Sequence, residues 1–237
     1  MSDFSIIIPA RLGSTRLKNK PLVNLGDHTL IEHVLQNSQK ISSNSYVATD
    51  SLSVVKKLNH HAEKVILTSN KHKSGTDRVF EAASRLNFND ENLIINLQGD
   101  EPFVPKDLIL KMVNDFNNHK CDVITASSFL KEDDLKNPNC VKVKTTNGFA
   151  DKFFRLDSNE KLADSKRHIG IYGYSFKTLS KFVLLNQSKN EIDHKLEQFR
   201  FLDNNFSIYV TNYLNEIPHG VDTAEDLKNA NMYLDKQ

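Results

Sequence analysis

Short apolar runs alternate with amphipathic segments through the first half of the chain. Short β-branched runs of this kind are typical of buried strands, and apolar residues at helical spacing indicate helices packed on a core. The predicted strands are residues 6–8, 46–48, 65–67 and 93–97. The predicted helices are residues 28–40, 51–58, 79–86 and 106–118. This alternation predicts an α/β fold with a doubly wound, mostly parallel central sheet and helices on both faces.

The second half has a more mixed pattern. Its predicted strands are residues 123–126, 141–144, 169–174 and 208–210. Its predicted helices are residues 176–185, 189–202 and 223–235. We interpret this half as a smaller mixed extension of the sheet with a flap, so residues 1–237 are predicted to form one domain.

Composition and charge limit the classes of function that the chain can have. The chain has 237 residues and a net charge of +1, so no overall field favours nucleic acid or a membrane surface. No apolar run approaches the roughly 18 to 20 residues of a membrane span, and the N-terminus lacks the pattern of a secretory signal. Cys121 and Cys140 lie in no metal-binding pattern, and we expect free thiols in a cytoplasmic protein.

The segment that follows the first predicted strand is strongly basic. Arginine forks and lysine charges complement phosphate oxygens, and ligands of open α/β sheets lie beyond the carboxyl ends of the strands. The alternative is a solvated surface loop, and the position after strand one favours a polyphosphate site. The cations, hydroxyls and glycine concerned are Arg11, Gly13, Ser14, Thr15, Arg16, Lys18 and Lys20.

Two aspartates are candidate ligands of a hard cation. Asp100 follows a predicted strand, where a carboxylate either holds Mg²⁺ or caps the next helix. Asp222 precedes the last predicted helix, where aspartate is a common N-cap. Thr223 and Asp226 resemble a capping box by themselves, which would leave Asp222 available for another role. The spacing alone leaves both alternatives open for Asp222.

Three further segments each have a structural and a functional interpretation. Residues 74–78 either cap a helix or contact a base or ribose. Residues 168–174 form a strand whose interior glycines indicate a bulge, a tight sheet crossing or close approach of a ligand. Residues 197–200 either form a solvated helix face or contribute to a site.

Taken together and in order, these segments resemble the cytidylyltransferases that activate 3-deoxy-manno-octulosonate (Kdo), the CMP-Kdo synthetase family. The resemblance covers nearly the whole chain. It rests on Ile-Pro-Ala-Arg-x-x-Ser-x-Arg-Leu-x-x-Lys-Pro-Leu at 8–22, Val-Ala-Thr-Asp at 47–50, Ser-Gly-Thr-Asp-Arg at 74–78, Asn-Leu-Gln-Gly-Asp-Glu-Pro at 96–102, Asn-Pro-Asn-x-Val-Lys at 137–142, Arg-His-Ile-Gly-Ile-Tyr-Gly-Tyr at 167–174, Leu-Glu-Gln-Phe-Arg at 196–200 and Gly-Val-Asp-Thr-x-Glu-Asp-Leu at 220–227.

The resemblance implies a nucleotide-diphospho-sugar-transferase-like fold and a Mg²⁺-dependent reaction of CTP with Kdo or a related acidic ulosonate. It also implies a cytoplasmic homodimer that serves lipopolysaccharide or capsule synthesis, with a nucleotide-binding half at 1–120 and a sugar-binding and dimerisation half at 121–237. The implied nucleotide-binding residues are Ala10, Arg11, Ser14, Arg16, Lys20, Ser74, Arg78 and Asp100. Among these, Lys20, Arg16 and Asp100 are the implied catalytic residues. The implied sugar contacts are Gln98, Arg155, His168, Tyr172, Glu197 and Gln198. The implied metal ligands are Asp100 and Asp222.

The chain departs from the family pattern mainly on the sugar side. Residues 154–160 lack the family's longer Ser-Arg-Ala-x-Ile-Pro segment, and His194 replaces a glutamate. Lys18 and Asn19 stand where the family usually has Pro-Gly. These departures raise the alternative of 8-amino-Kdo or another ulosonate as the acceptor. Alternatives of other classes are a nucleotide-sugar glycosyltransferase, which more often carries an Asp-x-Asp pair, and a nucleotide-binding module without catalysis.

Overall fold

The computed structural model describes residues 4–14, 16–155 and 164–236. Its strands are β1 (Phe4–Ala10), β2 (Asn24–Leu25), β3 (His28–Thr29), β4 (Ser45–Thr49), β5 (Val65–Leu67), β6 (Leu93–Asn96), β7 (Val123–Ser128), β8 (Lys142–Thr146), β9 (Phe149–Phe154), β10 (Lys166–Ser175) and β11 (Ile208–Asn212). Its α-helices are α1 (Leu30–Gln39), α2 (Leu52–Lys57), α3 (Gly75–Arg85), α4 (Lys106–Asn118), α5 (Glu132–Lys136), α6 (Phe176–Phe182), α7 (Lys189–His194), α8 (Gln198–Asp203) and α9 (Ala224–Leu234). Short 3₁₀ helices cover Lys20–Leu22 and Asn59–Lys64.

The chain divides into two compact units. The first runs from the N-terminus to Lys106 and resumes at Ile217, and the second is Asp107–Glu216. These bounds differ from the halves 1–120 and 121–237, because the C-terminal segment packs with the first unit. Its Val221 and Ala230 are buried in one cluster with Leu25 and Leu30.

Four parallel strands form the sheet of the first unit in the order β5-β4-β1-β6. Strand β1 pairs with β4 on one side, where Ile8 lies opposite Val47, and with β6 on the other, where Ile6 lies opposite Ile95. Residues 6–8 are fully buried, which explains their uninterrupted β-branched run. The strands that follow β1 in the chain lie on both sides of it in the sheet, with β4 and β5 on one side and β6 on the other. The strand order therefore reverses at β1, and ligands of open α/β sheets bind at the carboxyl end of such a strand.

The second unit has the mixed sheet β10-β7-β11-β9-β8. Strand β11 runs parallel to β7, whereas β10 runs antiparallel to it and has a register shift between Ile169 and Tyr172. The glycine-containing strand therefore carries the bulge that was one of its predicted interpretations. The α/β class, the parallel first half and the mixed extension are as predicted, and the single domain stays a prediction.

Most predicted elements are confirmed, and the helix predicted at 189–202 is wrong as one continuous element. It is divided into α7 and α8, because Lys195 has left-handed backbone angles (φ 53°, ψ 45°) that an α-helix cannot contain. The hairpin of β2 and β3, strand β9 and helix α5 were not predicted.

Candidate active site

A cavity of about 370 Å³ lies at the carboxyl ends of β1 and β6 and beside the start of α3. All of its lining residues belong to the first unit. They are Pro9, Ala10, Arg11, Gly13, Ser14, Arg16, Lys20, Pro21, His72, Ser74, Gly75, Arg78, Gln98, Gly99, Asp100 and Asp222. The basic segment after β1, the segment at 74–78 and the segment after β6 therefore meet at one cavity.

The basic segment reaches this cavity directly from β1. Ser14 is held in place by its Oγ, which accepts a hydrogen bond from the backbone N–H of Leu17 at 3.3 Å. Asn19 has a left-handed backbone (φ 53°) immediately before the 3₁₀ turn that carries Lys20. Asparagine is one of the few residues besides glycine that tolerate this conformation. Asparagine at 19 therefore fits the turn that carries Lys20 into the cavity.

Lys20 is the centre of an ion-pair network in the cavity. Its Nζ donates to Asp222 Oδ1 at 2.6 Å and also to Asp100 Oδ2. Arg16 Nη2 lies 3.1 Å from the same Asp222 oxygen. Burial alone would lower the pKa of the Lys20 ammonium, but the two carboxylates outweigh it and raise that pKa above its ordinary value. Lys20 is therefore a cation at neutral pH, and its side chain is only 12% exposed.

Backbone contacts fix the position of Asp100. The N–H of Val221 donates to the carbonyl oxygen of Asp100 at 2.8 Å, which joins the segment before α9 to the segment after β6. A Cβ at position 99 would lie only 2.9 Å from the carbonyl oxygen of Pro9. Glycine at 99 therefore allows the two strand ends that form the cavity floor to approach each other.

The cap of α9 decides between the two interpretations of Asp222. Thr223 is the N-cap, and its Oγ1 accepts from the N–H of Asp226 at 3.1 Å. The Asp226 carboxylate accepts in return from the N–H of Thr223 at 2.8 Å. The Asp222 side chain takes no part in this capping box and pairs with Lys20 and Arg16 instead.

The start of α3 forms another wall of the cavity. Ser74 caps the helix in a reciprocal capping box with Asp77. Arg78 lines the cavity but is only 3% exposed, and its guanidinium donates to Asp50 Oδ2 at 2.7 Å and to Thr68 Oγ1 at 2.5 Å. Asp50 and Thr68 therefore hold the Arg78 guanidinium in one orientation.

Gln98, expected to contact the sugar, lines this same cavity and donates from Nε2 to Asn96 Oδ1 at 3.1 Å. Sequence reasoning did not assign His72 to any site. Its position two residues before the Ser-Gly-Thr-Asp-Arg segment is the signal that could have identified it.

Four of the other predicted sugar contacts lie in the second unit, on β10 and at the start of α8. The rings of His168 and Tyr172 are 5.6 Å apart, and His168 Nε2 lies 2.9 Å from Thr125 Oγ1. Burial lowers the pKa of His168 to about 3, so its ring is neutral at physiological pH. Burial raises the pKa of Tyr172, and the charge of Glu197 raises it further. Gln198 is 5% exposed, so this part of α8 is not a solvated face.

Arg155, the remaining predicted sugar contact, binds backbone carbonyl oxygens in the structure. Its Nη1 donates to the carbonyl oxygens of Pro138 at 3.3 Å and Asn139 at 3.0 Å. The flanking carbonyl oxygens, of Asn137 and Cys140, accept from the buried Lys142 ammonium at 3.3 and 2.9 Å. Arg155 thus supports a turn, and its predicted sugar contact stays a prediction. Residues 156–160, on which the alternative acceptor partly rests, lie outside the described residues.

The donor set of the cavity fits a hard divalent cation. Within residues 4–14, 16–155 and 164–236 no group of three or more His, Cys, Asp or Glu side chains converges as a metal cage. Asp100 and Asp222 do converge, because both accept from one ammonium. Mg²⁺ typically takes only one or two protein carboxylates and completes its shell with water and substrate phosphates.

Two whole-chain expectations can be compared with the described residues. None of the helices there has the length and apolar character needed to cross a membrane. Cys121 and Cys140 are free thiols, as predicted. Burial raises the pKa of each to about 11, so neither is a reactive thiolate.

Comparisons with known proteins agree with one another over nearly the whole chain. The family described as "Cytidylyltransferase" matches residues 5–214. A 3-deoxy-manno-octulosonate cytidylyltransferase from Thermodesulfovibrio yellowstonii is 40% identical over 96% of either chain. A protein of the same name from Rickettsia bellii is 38% identical over 99% of this chain and 97% of its own.

Solved structures show the same similarity in three dimensions. A CMP:2-keto-3-deoxy-manno-octonic acid synthetase complexed with CTP superposes with a TM-score of 0.88 at 29% identity over 99% of both chains. A cytidylyltransferase from Leptospira borgpetersenii has a TM-score of 0.63 at 20% identity, covers 99% of this chain and 87% of its own, and shows the shared fold alone.

Proposed function

Because the chain belongs to the cytidylyltransferase family, we propose that it activates 3-deoxy-manno-octulosonate with CTP, giving the CMP-sugar and pyrophosphate. The acceptor is the one named for the relatives at 38–40% identity. The observation that carries the proposal is the network of Lys20, Asp100 and Asp222, which brings an ammonium and two carboxylates together in one cavity.

The reaction replaces the phosphoanhydride bond between the α- and β-phosphates of CTP with a phosphoester bond to the sugar. The 2-hydroxyl oxygen of the sugar attacks the α-phosphorus of CTP, the bond from that phosphorus to the bridging oxygen breaks, and pyrophosphate leaves while the hydroxyl proton is released. Transfer of this kind is catalysed mainly by positioning and by neutralisation of charge. Arg11, Arg16 and Lys20 line the cavity and are proposed to bind the triphosphate.

Asp100 and Asp222 are the proposed ligands of Mg²⁺. When bound, the ion would neutralise charge on the phosphate oxygens. The Lys20 ammonium also lies between these two carboxylates. Lys20 and Arg16 therefore have two alternative sets of anionic partners, the aspartates or the phosphates. We propose that binding of the metal and nucleotide exchanges one set for the other.

The nucleotide is proposed to contact residues of the first unit, and most of the proposed sugar contacts belong to the second unit. Ala10, Ser74 and Arg78 would contact the base, with Ser14 near the phosphates, and all four residues line the described cavity. In the second unit, His168, Tyr172, Glu197 and Gln198 would contact the acidic sugar. A neutral His168 offers hydrogen bonds rather than charge. Gln98 and Arg155 are proposed sugar contacts by resemblance.

Three properties of the intact protein belong to the same proposal. It is proposed to be a homodimer, to work in the cytoplasm, and to provide CMP-sugar for lipopolysaccharide or capsule synthesis. The cytoplasmic assignment is supported by the free state of Cys121 and Cys140.

Coupled detection of pyrophosphate tests the function. The purified protein would be mixed with CTP and Mg²⁺ and with Kdo, 8-amino-Kdo or a nine-carbon ulosonate in separate reactions. We expect the highest kcat/KM with Kdo. A clear preference for 8-amino-Kdo would show that the proposed acceptor is wrong and would leave the proposed cytidylyl transfer unchanged. Absence of pyrophosphate release with every ulosonate would refute the proposed function.

A further inference from the structure

His72 lines the cavity, and the carboxylate of Glu81 holds its ring. Its Nε2 is hydrogen-bonded to Glu81 Oε2, and the two side chains are 21% and 20% exposed. Glu81 lies on α3, the helix whose start provides Ser74, Gly75 and Arg78 to the cavity wall. The helix that forms this wall thus also fixes the orientation of the His72 ring.

Glu81 is itself firmly positioned. Its Oε2 accepts from the N–H of Ser69 at 2.8 Å, and its Oε1 accepts from Arg85 Nε at 2.9 Å and Nη2 at 2.6 Å. The loop before α3 is therefore attached to the helix at Ser69 and at His72 through a single carboxylate. Such an arrangement limits the rotation of the imidazole.

The charge of Glu81 determines which ring nitrogen of His72 carries hydrogen. Burial would raise the pKa of Glu81, but the hydrogen bonds from Ser69, His72 and Arg85 outweigh it and lower that pKa below the ordinary 4.5. An ionised carboxylate only accepts hydrogen bonds, so His72 Nε2 is the donor. In the neutral ring Nδ1 is then an acceptor.

Cytosine and uracil differ at the exocyclic group on carbon 4, which is an amino donor in cytosine and a carbonyl acceptor in uracil. We propose that His72 is a base-specificity residue, in which Nδ1 accepts a hydrogen bond from the cytosine amino group, and that Glu81 is the positioning residue that keeps Nδ1 an acceptor. This inference rests on the proposed function, which places the base beside Ser74 and Arg78. An acceptor at this place opposes uracil, because two acceptors then face each other without a hydrogen.

His72→Gln is the most informative substitution. The glutamine amide retains a donor at the position of the imidazole Nε2 and thus a hydrogen bond to Glu81, but its acceptor, the amide oxygen, does not occupy the position of Nδ1. The ratio of kcat/KM for CTP to that for UTP is expected to fall about tenfold, the value of one hydrogen bond of about 1.4 kcal/mol. The fall should come mainly from a raised KM for CTP, with the KM for the sugar unchanged.

Matched variants separate base recognition from a loop-supporting role. Lys73→Ala alters the exposed neighbour that does not line the cavity, and it should retain the wild-type ratio. Glu81→Gln should lower the ratio while His72 is intact. Calorimetric binding of CTP and UTP to each nucleotide-free variant, with its thermal unfolding temperature, gives the same comparison without turnover.

The outcomes are distinguishable from failure of the proposed function. If wild-type protein releases no pyrophosphate from CTP and any ulosonate, the proposed function is refuted. If wild-type protein is active and His72→Gln keeps both the wild-type CTP-to-UTP ratio and the wild-type CTP affinity, the assignment of His72 is overturned.

Discussion

Replacing Lys20 by methionine should strengthen the binding of a divalent cation and at the same time impair catalysis. Methionine keeps most of the length of the side chain but removes the ammonium that donates to Asp100 and to Asp222 at 2.6 Å. The two carboxylates would then share a site with no lysine between them. We expect the nucleotide-free variant to bind a divalent cation more tightly than the wild type, although its catalysis is impaired.

The size of the gain follows from charge and exposure. At about 4 Å, a pair of unit charges interacts by about 1 kcal/mol in water and about 4 kcal/mol at an effective dielectric constant of about 20. Asp100 and Asp222 are 26% and 36% exposed, so solvent screens part of this interaction. Arg16 stays beside Asp222 and keeps part of its charge compensated. A gain of about 1.4 to 2.8 kcal/mol, or about 10- to 100-fold in Kd, is therefore expected.

Mn²⁺ binding in the absence of CTP provides the assay, by electron paramagnetic resonance or calorimetry. Lys18→Met is the matched control, because Lys18 is exposed, lies in the same loop and does not line the cavity. In the coupled assay Lys20→Met should lose about 10²- to 10³-fold in kcat, the usual loss for one preorganised charge-stabilising group. Unchanged or weaker Mn²⁺ binding by Lys20→Met, at wild-type thermal stability, would refute the view that Lys20 competes with a divalent cation for the carboxylates of Asp100 and Asp222.

Three other substitutions have defined outcomes. Asp100→Ala should abolish pyrophosphate release with the circular dichroism of the folded protein retained, and wild-type turnover at ordinary Mg²⁺ would contradict its assignment as a ligand. Gly99→Ala should lower stability by about 1 to 3 kcal/mol in urea unfolding, because its Cβ would lie 2.9 Å from the Pro9 carbonyl oxygen. Glu191→Gln should lower stability at pH 7 by about 3 to 5 kcal/mol, since it breaks a buried pair with Arg200. Burial raises the pKa of Glu191 but Arg200 and other donors lower it overall, so the wild-type advantage over Glu191→Gln should persist above pH 4.5 and shrink as acid protonates the carboxylate.

The fold of the first unit could be predicted because its local patterns agree with its tertiary structure. Residues 6–8 are apolar without interruption and lie on the central strand β1, buried on both sides. The predicted strand at 65–67 coincides with β5. Polar loops after parallel strands necessarily meet at one sheet edge, so the nucleotide-binding candidates could be grouped without knowledge of any distance.

The second unit was harder to predict because its decisive features are not periodic. The break at Lys195 has no glycine or proline to indicate it, and strand β9 lacks an alternating pattern. The buried state of Arg200 could not be inferred from a short helical segment, because it depends on Glu191 across the break. In the first unit, the role proposed for His72 likewise depends on a partner nine positions away on α3.

Asp222 shows how a sequence alternative is resolved by counting hydrogen bonds at a helix end. The first turn of any helix needs acceptors for its N–H groups, and either Asp222 or Thr223 could have provided one. Thr223 and Asp226 satisfy each other's N–H groups, while the N–H of Asp222 also donates to Asp226 at 3.1 Å. The capping requirement of α9 is thus met without the Asp222 carboxylate. That carboxylate is therefore available to pair with Lys20, which lies 202 positions away in the sequence and at the end of the basic loop.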